Sequence, residues 1–292
     1  MQVFVTGASG FIGSAVVAEL LGAGHQVVAL ARSATSADAL TTAGAEVLPG
    51  SLDDVEALRR GAAAADGVIH LAFNHDFENY AGAAETDRRA IEAIGDALAG
   101  SDRPLAVAAG IVGLQSDTVA TEADDLAPVV PRLSESAALP LAEKGVRVSV
   151  VRLSPTVHGQ GDYGFVPRLI DIAREKGVSA YPSDGTNRWP AVHRHDAARL
   201  FRSALESAPS GARLHAVAEE GVPTREIAEA IGRGLGIPVR SVSADQVSDH
   251  FGWLGAFFGL DAAASSDVTR ALLNWTPTGP TLVDDLARHY FD

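Results

Sequence analysis

Val5-Thr6-Gly7-Ala8-Ser9-Gly10-Phe11-Ile12-Gly13 is the stretch whose reading decides the fold. Gln2 to Thr6 read as a buried strand, and a helix-compatible run starts at Phe11 and continues through Val16, Val17, Leu20 and Leu21. Between them lies a turn of the form G-x-x-G-x-x-G. Gly7 permits a tight turn, Gly10 lets backbone approach a pyrophosphate, and Gly13 lets helix and strand pack closely, so that phosphates sit on the helix N-terminus. A glycine triplet alone is a weak signal. Placed between a first strand and an amphipathic helix it predicts dinucleotide binding, with Ser9, Phe11 and Ile12 in the same turn.

Outward from this turn, strand-like segments recur at 26–31, 45–48, 67–71, 105–109 and 146–153, separated by helix patterns such as 55–63 and 86–99. Such alternation predicts βαβ units, hence an α/β fold with a doubly wound parallel sheet of the Rossmann type. After Pro155 the character changes to loops rich in Gly, Pro, Tyr, Trp and His. Helices are expected there at 165–176, 196–207 and 224–235. The expected organisation is a dinucleotide-binding domain over 1–158 and a smaller substrate-binding lobe over 159–212 and 218–292, with strand 213–217 rejoining the first sheet.

Composition narrows the functions. The 292 residues are 47% hydrophobic, ample for a core, and include no cysteine, which excludes disulfides, Cys-zinc sites and thiol catalysis. A net charge of −14 argues against nucleic acid and anionic membranes as partners. The first residues enter a strand at once and no apolar run is long enough to span a bilayer, so a cytoplasmic protein is expected.

At this point the chain resembles the extended branch of the short-chain dehydrogenases/reductases. Beside the glycine turn, the resemblance rests on Ser51-Leu52-Asp53, Val68-Ile69-His70-Leu71-Ala72 and Arg152-Leu153-Ser154-Pro155-Thr156-Val157-His158-Gly159. It implies that Leu71, Ala72 and Phe73, following strand four, and Ala108, on strand five, border the cofactor. It also implies that Pro155, Thr156 and Val157 border the nicotinamide. Arg32 and Ser33 stand where NAD-preferring relatives place an acidic residue. A guanidinium there suits a 2′-phosphate, so NADP(H) is the expected cofactor, unless Arg32 is simply a solvated arginine. Asp53 matches the aspartate that contacts the adenine amino group; it reads equally well as an N-cap for the helix at Val55.

The family's usual chemistry uses a Tyr-x-x-x-Lys pair on one helix and a Ser or Thr after strand five. The four tyrosines are Tyr80, Tyr163, Tyr181 and Tyr290, and none has a lysine four residues on. On a helix expected from Arg132 to Glu143, Ser134-Glu135-Ser136-Ala137-Ala138 puts Glu135 on the Lys position and Pro131 on the Tyr position. After strand five no hydroxyl appears until Ser116. The catalytic residues are therefore unknown. The chain resembles the triad-less ketoreductases that tailor the angucyclinone part of simocyclinone-type antibiotics. That likeness implies NADPH-dependent reduction of a polycyclic polyketide ketone, assisted by a hydroxyl of the substrate itself.

His158 follows the strand-six motif; it either donates to a substrate oxygen or bonds loop backbone. His193 and His195 have no third ligand at a plausible spacing, so no metal is expected, and Asp196 reads as the N-cap of the next helix. Tyr163, Phe165, Trp189, His193 and Trp253 are the further candidates to border a flat substrate. Two other readings stay open: reduction of an activated C=C or C=N bond, and a dinucleotide-sensing regulator without chemistry. Oligomeric state is not legible.

Overall fold

The structure, a computed structural model, describes residues 1–75, 79–116, 118–127 and 132–291. In chain order it runs β1 (Gln2–Thr6), α1 (Phe11–Gly22), β2 (Gln26–Ala31), α2 (Ala34–Thr42), β3 (Glu46–Pro49), α3 (Val55–Ala64), β4 (Gly67–His70), α4 (Tyr80–Leu98), β5 (Pro104–Gly110), α5 (Ser134–Ala138) and β6 (Arg147–Leu153). The second half adds β7 (Thr156–His158), α6 (Phe165–Lys176), β8 (Ser179–Pro182), β9 (Arg188–His193), α7 (Arg194–Ser207) and β10 (Ala212–Ala216). It continues with β11 (Glu219–Pro223), α8 (Thr224–Leu235), β12 (Val239–Val242), α9 (Val247–Phe251), α10 (Gly255–Phe258), α11 (Asp267–Leu273) and α12 (Leu282–His289).

Seven strands form one sheet in the order β10-β6-β5-β4-β1-β2-β3. Every neighbouring pair is parallel. Side chains alternate along each strand, so β1 feeds both faces. Val3 and Val5 pack with Val16 and Leu20 of α1 and with Leu200, Phe201 and Leu205 of α7. Phe4 points the other way, into Leu58 of α3 and Ile91, Ile94 and Leu98 of α4. Each such side chain contributes about 1.5–3 kcal/mol by leaving water. A third cluster joins α6, α8, α12 and the short helices α9 and α10 around Trp189, Leu254 and Phe258. There β9 pairs with β7 and β11, and β8 with β12.

Two expected elements differ. The helix expected over 132–143 is α5 alone, followed by a tighter 3-10 turn over Leu139–Lys144. Pro140 has no N–H to continue the α ladder, which explains the change. The helix expected from Thr86 starts at Tyr80, where the Asn79 side chain accepts the Gly82 N–H. Ala81, Ala83 and Ala84 sustain that extra turn and a half. No helix among the described residues is long and apolar enough to cross a membrane.

Candidate active site at the carboxyl ends of the parallel strands

The glycine turn is built by contact. Gly7 has φ +69°, and a Cβ there would lie 2.6 Å from the Ala72 backbone nitrogen just beyond β4. A Cβ on Gly13 would lie 2.0 Å from the Gly7 carbonyl oxygen, so no other residue lets α1 seat against the turn. Gly10 caps α1 without a side chain, and the first turn of α1 carries no acidic residue. These are the donors and the cradle that a pyrophosphate fits. Phe11 N–H is already engaged: it donates to the Tyr163 hydroxyl at 3.0 Å. Arg194 lies beside it, bonded to Ser14 Oγ at 2.7 Å and with its guanidinium 4.5 Å over the Phe11 ring.

Past the end of β2, Ser33 caps α2 by accepting the Ser36 N–H. Arg32 is exposed and makes no ion pair among the described residues. Asp53 is not the cap of α3; Asp54 is, accepting the Ala57 N–H at 2.9 Å. The Asp53 side chain stands three-quarters exposed, 3.8 Å from Arg89.

Leu71, Ala72, Phe73, Ala108, Pro155 and Val157 lie at or near the carboxyl ends of β4, β5 and β6, on the edge that also carries the glycine turn. In open α/β sheets ligands bind outside this edge. Thr156 is buried and its hydroxyl donates to the Pro190 carbonyl. A hydrogen-bonded chain runs beneath the edge. Thr6 Oγ1 meets His70 Nδ1 at 2.8 Å, and His70 Nε2 meets Asp87 Oδ1 at 2.9 Å. Ser134 donates to Asp87 Oδ2 at 2.5 Å and accepts from Arg132 Nε at 2.9 Å. Arg132 also donates to the Ala108 carbonyl at 3.1 Å, and its guanidinium lies 4.3 Å over the Phe73 ring. Burial alone would raise the Asp87 carboxyl. Hydrogen bonds from His70 and Ser134 and the Arg132 charge outweigh it and hold the group ionised.

Tyr80, the first residue of α4, packs on the same Phe73 ring with centroids 5.5 Å apart. Burial raises its phenol above the ordinary value, and the Arg132 charge opposes that rise. Tyr80 and Arg132 did not stand among the sequence-based candidates for the site, nor did Thr6, His70, Asp87 and Ser134, which are scattered along the chain with no local spacing to flag them. The arginine directly after the Tyr position was the one available signal.

Pro131 lies outside the described residues. Glu135 turns away from the crevice to grip Arg152 through two bonds of 2.8 and 2.7 Å. Arg152 is wholly buried and also meets His215 at 3.2 Å, while Arg213 reaches Glu135 at 3.1 Å. The carboxylate on the Lys position therefore serves the sheet.

The expected substrate residues divide. His158 is wholly buried, bonded to Asp285 of α12 at 2.8 Å, so it is neither cleft-facing nor bound to loop backbone; its Nε2 has no partner among the described residues. β7 pairs with β9 and packs on α12, which turns His158 inward. Trp189 is wholly buried as well, a core residue donating to the Phe257 carbonyl. Tyr163 sits on the glycine turn, 72% exposed, on a loop that Tyr290 and Asp162 tie down. Phe165 groups with Trp253 and Phe257, at 5.9 and 5.8 Å, and Trp253 is 43% exposed. His193, not Asp196, caps α7. Asp196 is buried and accepts the Thr278 and Gly279 N–H groups instead. No group of three potential metal ligands occurs among the described residues.

Comparison with known proteins agrees with this architecture. Residues 3–94 match the NAD dependent epimerase/dehydratase family. Uncharacterized protein C2A9.02 of Schizosaccharomyces pombe is 51% identical over 98% of both chains. A 4-hydroxy-2-methyl-3-oxo-4-farnesyl-3,4-dihydroquinoline-1-oxide ketoreductase of Stigmatella aurantiaca is 29% identical over 60% of this chain and 56% of its own. Among solved structures, DesIV, a dTDP-glucose 4,6-dehydratase from Streptomyces venezuelae with NAD bound, superposes with a TM-score of 0.79 at 20% identity, covering 99% of this chain and 96% of its own. The chain belongs to the NAD-dependent epimerase/dehydratase family, the extended short-chain dehydrogenases/reductases.

Proposed function

We propose that the protein is an NADPH-dependent ketoreductase acting on a carbonyl of a polycyclic aromatic polyketide, in antibiotic tailoring. The observation that carries this reading is a crevice that keeps the dinucleotide turn, with an unpaired arginine past β2, and lacks the Tyr-x-x-x-Lys pair. Bound NADPH supplies hydride to the carbonyl carbon. The glycine turn would hold the pyrophosphate, Arg32 the 2′-phosphate, and the ends of β4, β5 and β6 would border the nicotinamide. Fixing donor and acceptor in register is worth about 7–11 kcal/mol, more than the roughly 3–5.5 kcal/mol of a general acid, so hydride transfer survives loss of the usual triad. A hydroxyl beside the substrate ketone polarises the carbonyl further. The exposed Trp253, set edge-on to Phe165 and Phe257, offers an aromatic face for fused rings. The similarity to a ketoreductase of a fused-ring heterocycle supports the substrate class.

The test is NADPH oxidation with a panel of hydroxylated polycyclic ketones and quinones, with Gly10→Trp as the binding-dead control. Turnover that vanishes in the control is the expected result. Tight NADPH binding without turnover on any member points instead to a sensor. Arg32→Ala should raise the Kd for NADPH about tenfold or more, one charge-assisted contact, and leave NADH nearly unchanged. Equal effects on both would refute the 2′-phosphate assignment.

A further inference from the structure

The proton that completes the reduction needs a donor, and the chain offers one away from the helix that usually carries it. We propose that Tyr80 is the catalytic acid and that Arg132 is the cation holding its conjugate phenolate, the pair rebuilt from the start of α4 and the segment before α5. This rests on the ketoreductase reading and names its missing residues.

Three observations carry it. Tyr80 and Arg132 both pack on the Phe73 ring, which follows β4 at the crevice edge. Arg132 is fixed there by the Ala108 carbonyl of β5 and by Ser134, and no carboxylate bonds it directly among the described residues. Asp87 is the anion of the chain beneath, and Ser134 stands between it and Arg132. Asp87, one serine away, takes part of this arginine's field, and the Tyr80 phenol feels the same charge, which favours a phenolate that forms there. Tyr80 opens a 19-residue helix, whose N-terminal partial charge adds to the same field.

The step balances. Hydride addition at the carbonyl carbon sends the C=O π pair to oxygen, and the Tyr80 O–H bond breaks to protonate that oxygen. The phenolate left beside Arg132 is reprotonated by water. The ketone gains two electrons and the dihydronicotinamide loses them. A phenol kept protonated by burial is the correct resting state for this direction.

Two readouts test the pair. The first uses the cofactor-free protein with all four tyrosines replaced by 3-fluorotyrosine, the Tyr80 ¹⁹F resonance being assigned by its loss in Tyr80→Phe. Arg132→Met should move the Tyr80 ionisation midpoint upward and Arg132→Lys should move it less; an unmoved midpoint overturns the pairing. The second is turnover: Tyr80→Phe should lower kcat by about 10²–10⁴-fold with the NADPH Kd within threefold. A kcat within twofold of wild type overturns the catalytic assignment and leaves the substrate's own hydroxyl as the proton source. If the wild-type protein turns over no ketone, the ketoreductase reading fails and the acid assignment with it. A fluorine shift in that case reports only an electrostatic pair.

Discussion

Nδ1 of His193 accepts the His195 N–H at 3.3 Å, so the cap of α7 holds only while that nitrogen is unprotonated. Burial, then the neighbouring His158, depresses the imidazole from 6.5 to about 4. The unfolded chain therefore takes up the proton first. Stability from this group is complete above about pH 6.5 and falls as the pH drops towards 4. Melting curves at pH 7 and pH 5 should show wild type losing about 1 kcal/mol through this group once solvent screening is allowed for, or roughly 2 °C. His193→Asn caps without titrating and should remove that part of the loss; an undiminished loss would exclude the cap as its source. Caps were the least legible residues in the sequence. Asp53 and Asp54 are adjacent carboxylates, and only the backbone angles at the start of α3 choose between them. Asp196 has the composition of a cap, yet the chain enters α7 two residues earlier.

Elements were far more legible. Apolar runs bounded by glycine place β2, α6 and α8 to the residue, and β10 within one. Element faces were not. His158 and Trp189 lie on short strands whose inward side is chosen by α12 and by the aromatic cluster, both distant in sequence. The loop from Gly159 to Gly164 shows the same limit: its aromatic residue reaches back 152 positions to the start of α1. There the Tyr163 hydroxyl occupies a backbone donor that a pyrophosphate would use. Tyr163→Phe frees it and should lower the cofactor Kd about two- to tenfold, the worth of one hydrogen bond, as read by NADPH fluorescence. A raised Kd would mean instead that the phenol follows the phosphate and binds it.

At the scale of the whole molecule, Arg152 is a wholly buried charge that the fold must partner. It ties β6 to Glu135 on one side and to His215 of β10 on the other. Arg152→Met alone should cost about 3 kcal/mol in urea unfolding, the low end for a broken buried pair because Arg213 still reaches Glu135. Arg152→Met with Glu135→Leu should recover most of it. If the double variant is no better than the single, the cost lies in lost packing rather than a stranded carboxylate. Glycines and apolar runs disclosed the sheet. Nothing short of three dimensions disclosed that a glutamate on the usual lysine position works for the strand behind it.

The seventh strand carries a consequence for how the chain is made. β10 seals the outer edge of β6, yet 58 residues separate Leu153 from Ala212. At about 5–20 residues per second, a ribosome needs roughly 3–12 s to deliver the sealing strand after β6 has emerged. For that interval the nascent sheet presents Val148, Val150 and Val151 along an unpaired border, a ready template for a neighbouring chain. Substitutions that weaken β10 should therefore be felt first as lost soluble yield during synthesis, before any change appears in the finished protein.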